Sequence, residues 1–278
     1  MLFLRAGAVL FSLVWFFAGI HAAGLAANGD VDWSRWQAHD PRSDDVINHE
    51  LWGLFLDRQL VTGSDGINRI AYADTGDQEK RLLDQYLEHM STVAISTYDR
   101  NEQLAFWINL FNALTVRLAL EHYPIGSMHE IVVEADGRTY KVWNAKLIEI
   151  EGIRLSLNDI EHRIVRATWR DPRINYALSH GSLGCANIRK QPYRGSMLDR
   201  QLSYAAIDFI NHPRGVSISG RHLQVSSIYR WFREDFGGDD RAIIRHLAAF
   251  AKPALAYELQ HFNDIDAHDY DWALNALY

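Results

Sequence analysis

Cys185 is the only cysteine in the chain. It closes the run His180-Gly181-Ser182-Leu183-Gly184-Cys185, a glycine-bracketed turn that follows the alternating apolar residues Ile174, Tyr176 and Leu178. A thiol works as a nucleophile only when it is a thiolate, which calls for a nearby imidazole, cation or helix N-terminus. His180 and His162 are the nearest histidines in sequence. Main-chain N–H groups around Gly184 are candidates to hold a developing oxyanion. The competing reading makes Cys185 a small buried apolar residue, and the sequence alone leaves the two in balance.

His162 lies in Asp159-Ile160-Glu161-His162-Arg163-Ile164-Val165-Arg166. On a helix Asp159 and Arg166 share its face, so Asp159 can orient the ring or simply cap the helix, while Glu161 points elsewhere. Asn109 and Asn112, three apart in a strongly apolar stretch, present their amides on one face. If buried they need partners, which a bound substrate or loop main chain would equally supply. The stretch 261–272 is rich in oxygen and imidazole groups. It lacks the glycine and final glutamate of a calcium loop and reads as a solvated acidic turn.

Several chemistries lose their best support. There is no Gly-x-Gly-x-x-Gly, phosphate loop, His-Glu-x-x-His or Cys-x-x-Cys, so no cofactor and no metal is expected. Gly181-Ser182-Leu183-Gly184 does not match a Gly-x-Ser-x-Gly elbow, which leaves Ser182 a minor nucleophile candidate. A redox or metal sensor built on His180 and Cys185 is a third reading, although a single thiol has no resolving partner for exchange.

The elements that must position these residues follow from periodicity. Helical spacing predicts helices over 46–60 and 78–90, and the stretch 101–122, apolar nearly all round, predicts a helix buried at the centre. Residues 130–143 alternate about Asp136-Gly137 and predict a β-hairpin, with a further strand near 147–153. Ser156 and Asp159 resemble a capping box opening a helix to about Trp169, and 174–178 reads as a strand. A helix over 196–211, a hairpin about 219–221, helices over 226–236 and 239–251, and a last strand over 254–262 complete the pass. Hairpins mixed with helices, without a βαβ rhythm, predict an α+β fold: one mixed, helix-rich domain with antiparallel hairpins packed on a buried central helix.

Arg5 followed by the uncharged apolar run 6–20 and small residues to Ala27 reads as a cleavable signal peptide over 1–26, with residues 27–278 as a single domain. The run is shorter than the roughly 20 residues of a spanning helix. The expectation is therefore an exported protein, periplasmic or extracellular, with no stable membrane span after cleavage. A formal net charge of −7 argues against a nucleic-acid partner. An unpaired thiol in such a compartment must be buried or used.

The blocks Leu104-Ala105-Phe106-Trp107-Ile108-Asn109-Leu110-Phe111-Asn112-Ala113, Ile160-Glu161-His162, Asp171-Pro172-Arg173-Ile174 leading to Cys185, and Tyr270-Asp271-Trp272 resemble domain-of-unknown-function family 547 over about residues 100–275. The resemblance implies a cysteine-hydrolase-like site, with Cys185 as nucleophile, His162 as base and Glu161 as the acidic member; Asp159 and Glu102 are the other carboxylates in view. The leading expectation is a periplasmic cysteine-dependent hydrolase or acyl transferase acting on a peptide or acyl substrate, with Asn109, Asn112, His180 and Gly184 at the substrate. The alternative is a non-catalytic binding module of the envelope with a buried structural cysteine.

Overall fold

The longest helix, α3 (Arg100–His122), sets the architecture. Asp99 caps it by accepting from the N–H groups of Asn101 and Glu102, and almost every residue from Glu102 to Leu120 is buried. A helix with no polar face has to be surrounded, and the remaining elements do so. The structure is a computed structural model and describes residues 31–135 and 137–277. The expected signal peptide lies outside the described residues. Trp33–Tyr278 forms one compact α+β unit.

Helix α1 (Glu50–Gln59) packs on α2 (Asp77–Thr92) and α2 on α3, with α1 and α2 joined through the short antiparallel pair β1 (Leu60–Thr62) and β2 (Asn68–Ile70). The predicted hairpin is present as β3 (Val132–Ala135) and β4 (Arg138–Lys141). The single strand expected near 147–153 is instead a second hairpin, β5 (Ile148–Ile150) with β6 (Ile153–Leu155). Its turn places Glu151 at φ 47° and Gly152 at φ 79°. Glu151 is held in that conformation by its carboxylate, which accepts from Arg35 Nη2 (3.1 Å) and from the N–H and hydroxyl of Ser96 (2.9 and 2.8 Å).

The capping box forms as the spacing predicts: Asp159 accepts from the N–H and hydroxyl of Ser156, and the Asp159 N–H donates back to Ser156 Oγ (3.1 Å). The helix it opens is a π-helical turn over Asp159–Val165 that passes into α4 (Arg166–Trp169). The strand expected at 174–178 is a 3-10 turn, Pro172–Tyr176, because Asp171 caps it on the Arg173 N–H and Pro172 starts it with a fixed φ. Next come α5 (Leu198–Ile210), the hairpin β7 (Val216–Ser219) and β8 (His222–Ser226), α6 (Ile228–Trp231) and α7 (Asp240–Phe250). Residues 254–262, expected as a strand, form most of helix α8 (Pro253–Leu259), with Pro253 at its first position and alanine, leucine and glutamate favouring the helical state. The last strand is β9 (Ala267–Asp269), parallel to β8.

Two apolar clusters make the core. One surrounds α3; the other gathers α5, the β7–β8 hairpin, α6 and α7. The segment 174–188 feeds both: Ile174, Ala177, Leu178 and Ile188 join the first, while Tyr176 and Ala186 join the second. Cys185 therefore sits on the seam between them.

Candidate active site

The turn holding Cys185 is fixed from two sides. Asn112, on α3, donates from Nδ2 to the Ala177 carbonyl (2.9 Å) and accepts the Ser179 N–H on Oδ1 (2.8 Å). Asn109 does the same for another segment, donating to the Tyr193 carbonyl and accepting the Tyr193 N–H (2.8 and 2.9 Å). Both amides are buried and both ends are spent on main chain, so the expected substrate contacts are corrected: these residues position loops. On the other side the C-terminal stretch lies against the turn, with the Leu183 N–H donating to the Ala273 carbonyl and the Gly184 N–H to the Asp271 carbonyl, each at 2.8 Å. A Cβ at Gly184 would lie 2.8 Å from the Asp271 nitrogen, so only glycine allows this approach. Gly184 thus lets two segments meet, and its N–H is not available to an oxyanion.

Around the sulfur, the imidazole is that of His180. Cys185 Sγ lies 4.0 Å from His180 Nδ1, and His180 Nε2 lies 2.9 Å from Glu161 Oε2. The carboxylate accepts from Nε2–H, which leaves Nδ1 facing the sulfur. The ring is held edge-on against Phe111 and Trp143, both with centroids 5.4 Å away. His162, expected as base, is displaced from that role: it is exposed, with Nδ1 3.2 Å from Arg166 Nη1 and its ring over Phe232, and its nearest carboxylate is Glu161 at 3.8 Å. The π-helical turn buries two carboxylates, Asp159 and Glu161, and it is Glu161 that faces the imidazoles, with His180 closer to it than His162. The other two carboxylates are committed elsewhere. Asp159 serves Ser156 and Lys146, and Glu102 accepts the Ile47 and Gly195 N–H groups (both 2.8 Å).

Three further donors converge on Sγ: the His180 N–H (3.1 Å), Ser182 Oγ (3.2 Å) and Tyr270 Oη (2.9 Å), the two hydroxyls lying 2.8 Å apart. Burial on its own would push the thiol up. The hydrogen bond and charge of His180, with help from Ser182 and Tyr270, outweigh it and hold Cys185 down at about 6. Burial likewise works against charging His180, but the Glu161 carboxylate and the sulfur raise it to about 10. Glu161 is lowered despite its burial because His180 faces it. The resting pair is a thiolate and an imidazolium.

Arg214 adds a half-buried cation nearby, donating to the Leu183 carbonyl (2.8 Å) and to Asn187 Oδ1 (2.7 Å); burial lowers its pKa to about 10. The cavity at the thiol is narrow, ≈ 10 Å³, about the space of one water, and Glu161, His180, Cys185, Phe232 and Tyr270 are among its walls. Outside it Trp231 and Trp272, both partly exposed, flank Tyr270 at 4.8 and 4.5 Å. Among the described residues no cluster of three or more His, Cys, Asp or Glu side chains is arranged to hold a metal ion.

Residues 95–210 match the family described as "Protein of unknown function, DUF547". This match agrees with the resemblance that the sequence blocks carry. No curated protein and no solved structure matches the chain. The DUF547 segment contains α3 with its two asparagines, Glu161, His180 and Cys185, and ends with α5. Arg214, Trp231, Tyr270 and Trp272 lie beyond it. Of these, Tyr270 and Trp272 stand in one of the blocks that carry the resemblance to the family, the one signal for them in the sequence; Arg214 has none.

Proposed function

We propose that the protein is an exported cysteine-dependent hydrolase or acyl transferase in which Cys185 is the nucleophile, His180 the acid and base, and Glu161 the carboxylate that orients and charges the imidazole. One observation carries this reading. Sulfur, imidazole and carboxylate stand in line, 4.0 Å from Sγ to Nδ1 and 2.9 Å from Nε2 to Oε2, with the thiol held near 6. A structural cysteine needs none of these partners.

In the reaction the thiolate adds to an acyl carbonyl, and the imidazolium gives its Nδ1 proton to the departing amine or alcohol. The neutral imidazole then draws a proton from water, or from an acceptor hydroxyl or amine, as that group attacks the thioester. The 4.0 Å separation is long for proton transfer; catalytic hydrogen bonds commonly shorten once substrate is bound. The reading takes a peptide or other acyl compound as substrate. The leader-like residues 5–27 support export, and a net charge of −7 argues against nucleic acid. The apolar helix α3, long enough to cross a bilayer, is 94% buried over its most apolar window and serves as core.

The test is acetylation by p-nitrophenyl acetate. The wild type should release nitrophenolate and carry an acetyl group on Cys185, detectable by mass spectrometry, whereas Cys185→Ser should not. Wild-type release no faster than that of Cys185→Ser would leave the envelope binding module as the reading.

A further inference from the structure

When a thiolate attacks a carbonyl, negative charge leaves sulfur and arrives on oxygen. Hydrogen-bond donors that served the first must be replaced by donors to the second. Three of the turn amides are already spent on main chain. Leu183 and Gly184 donate to the C-terminal stretch, and the Cys185 N–H donates to the Ser182 carbonyl (3.2 Å). The donors gathered at the sulfur are the His180 N–H and the hydroxyls of Ser182 and Tyr270.

Sγ, Ser182 Oγ and Tyr270 Oη form a closed triangle with sides of 3.2, 2.8 and 2.9 Å. Two hydroxyl hydrogens serve three contacts, so one side always lacks a hydrogen and the set rearranges easily. Once the sulfur becomes a thioether it accepts hydrogen bonds only weakly, and a hydroxyl is released to follow the charge. Tyr270 lines the cavity through which a carbonyl must reach Cys185; Ser182 does not.

We infer that Tyr270 is a catalytic residue whose hydroxyl donates the hydrogen bond that holds the oxyanion formed when Cys185 attacks an acyl carbonyl. This rests on the hydrolase reading above. In the step, a sulfur lone pair forms the C–S bond and the carbonyl π pair moves onto oxygen, while Tyr270 keeps its proton and donates to that oxygen. Collapse re-forms C=O and expels the leaving group, which takes the His180 proton when it is an amine. Burial and the neighbouring thiolate hold the Tyr270 phenol well above its ordinary value, so it remains a donor. Its ring packs against Trp231 and Trp272, which also contact each other, and its backbone directly follows β9, paired to β8, so the hydroxyl is placed in advance of reaction.

Two probes separate this role from simple support of the thiolate. Acetylation by p-nitrophenyl acetate passes through an oxyanion; methyl methanethiosulfonate is attacked at sulfur and forms none. Both are measured on wild type, Tyr270→Phe and Ser182→Ala, each above its own thiol midpoint. Tyr270→Phe should slow acetylation about 100-fold, the usual loss for one oxyanion donor, and thiolation no more than about threefold. Ser182→Ala should leave the ratio of the two rates within about threefold of wild type. A fluorotyrosine at position 270, a stronger donor of the same shape, should raise acetylation relative to thiolation, which keeps the test open if Tyr270→Phe does not fold. Equal slowing of both probes, no slowing, or a selective loss in Ser182→Ala instead overturns the assignment of Tyr270. A wild type that thiolates but never acetylates removes the hydrolase reading, and this inference with it.

Discussion

Replacing His180 by glutamine separates the charge of the imidazolium from its place in the fold. The amide introduced by His180→Gln can still donate to Glu161, so the buried carboxylate keeps a partner, while the positive charge at Sγ is gone. Wild-type Cys185 ionises at about 6, against an ordinary value of 9.0 that burial would raise further. At pH 7 the wild-type thiol is then about nine-tenths ionised and the variant about one-hundredth. That near-100-fold difference does not pass directly into rate, because a more basic thiolate is a better nucleophile. With a Brønsted coefficient of about 0.4–0.5, a thousandfold change in ionisation makes the variant thiolate about 15- to 30-fold more reactive. The net loss at pH 7 is only about three- to sixfold.

At pH 5 the balance changes. Ionisation differs about 900-fold there, and the net loss grows to about 30- to 60-fold. The informative measurement is therefore the pH profile of thiolation by methyl methanethiosulfonate. The chain has one cysteine, so every adduct reports on Cys185. The wild-type midpoint should lie near 6 and that of His180→Gln at 9 or above, with a higher alkaline plateau in the variant. Two midpoints within half a pH unit of each other would refute the argument that His180 charges the thiol. A wild-type midpoint above about 8 would refute the ion pair itself.

Two further outcomes follow from the same contacts. In the wild type the folded pair carries one proton, on His180, and the unfolded pair also carries one, on sulfur, between their ordinary values of 6.5 and 9.0; the pair therefore adds no slope to stability there, and its contribution falls only as pH rises from 9 through about 10. Cys185→Ser removes the compensating half, so its urea midpoint should decline from about pH 6.5 upward while the wild type stays level, and parallel curves would contradict the assignment of charge. Asn112→Ala leaves the Ala177 carbonyl and Ser179 N–H buried without their partner, which should cost about 2–4 kcal/mol in urea unfolding and raise the thiolation midpoint of Cys185. A loss of stability with an unmoved midpoint would show that this clamp does not place His180.

The sequence made the central helix and the reactive turn legible for physical reasons that survive folding. An apolar run with no polar face has one destination, and α3 is buried as that pattern requires. Two glycines just before a lone cysteine marked a turn, and Gly181 does take φ 73° there. What did not show was partner choice. His162 and His180 were both near Cys185 in sequence, and 3.6-residue periodicity placed His162 on a helix face with Asp159 and Arg166. His162 does meet Arg166 as that spacing requires, but which imidazole the buried Glu161 carboxylate meets is decided by a residue on another element, nineteen positions away. The asparagine pair was visible as a buried-amide problem with two solutions; only main-chain geometry chose between them.

Tyr270 presents the same limit over a longer range, 85 positions from Cys185. Its approach depends on a chain of non-local pairings: β9 adds in parallel to β8, Ser182 bridges Leu274, and the missing side chain of Gly184 lets Asp271 close against the turn. None of these leaves a periodic trace. They also give the DUF547 segment its dependence on the rest of the chain. The nucleophile, imidazole and carboxylate lie inside residues 95–210, but the groups that close the thiol from above, and the main chain that takes up the turn's N–H groups, come from after it. A truncation at residue 210 would keep Glu161, His180 and Cys185 in the chain. It would also release the Leu183 and Gly184 N–H groups and remove the Tyr270 hydroxyl from the sulfur. The C-terminal stretch is therefore part of the site's chemistry as well as its cover.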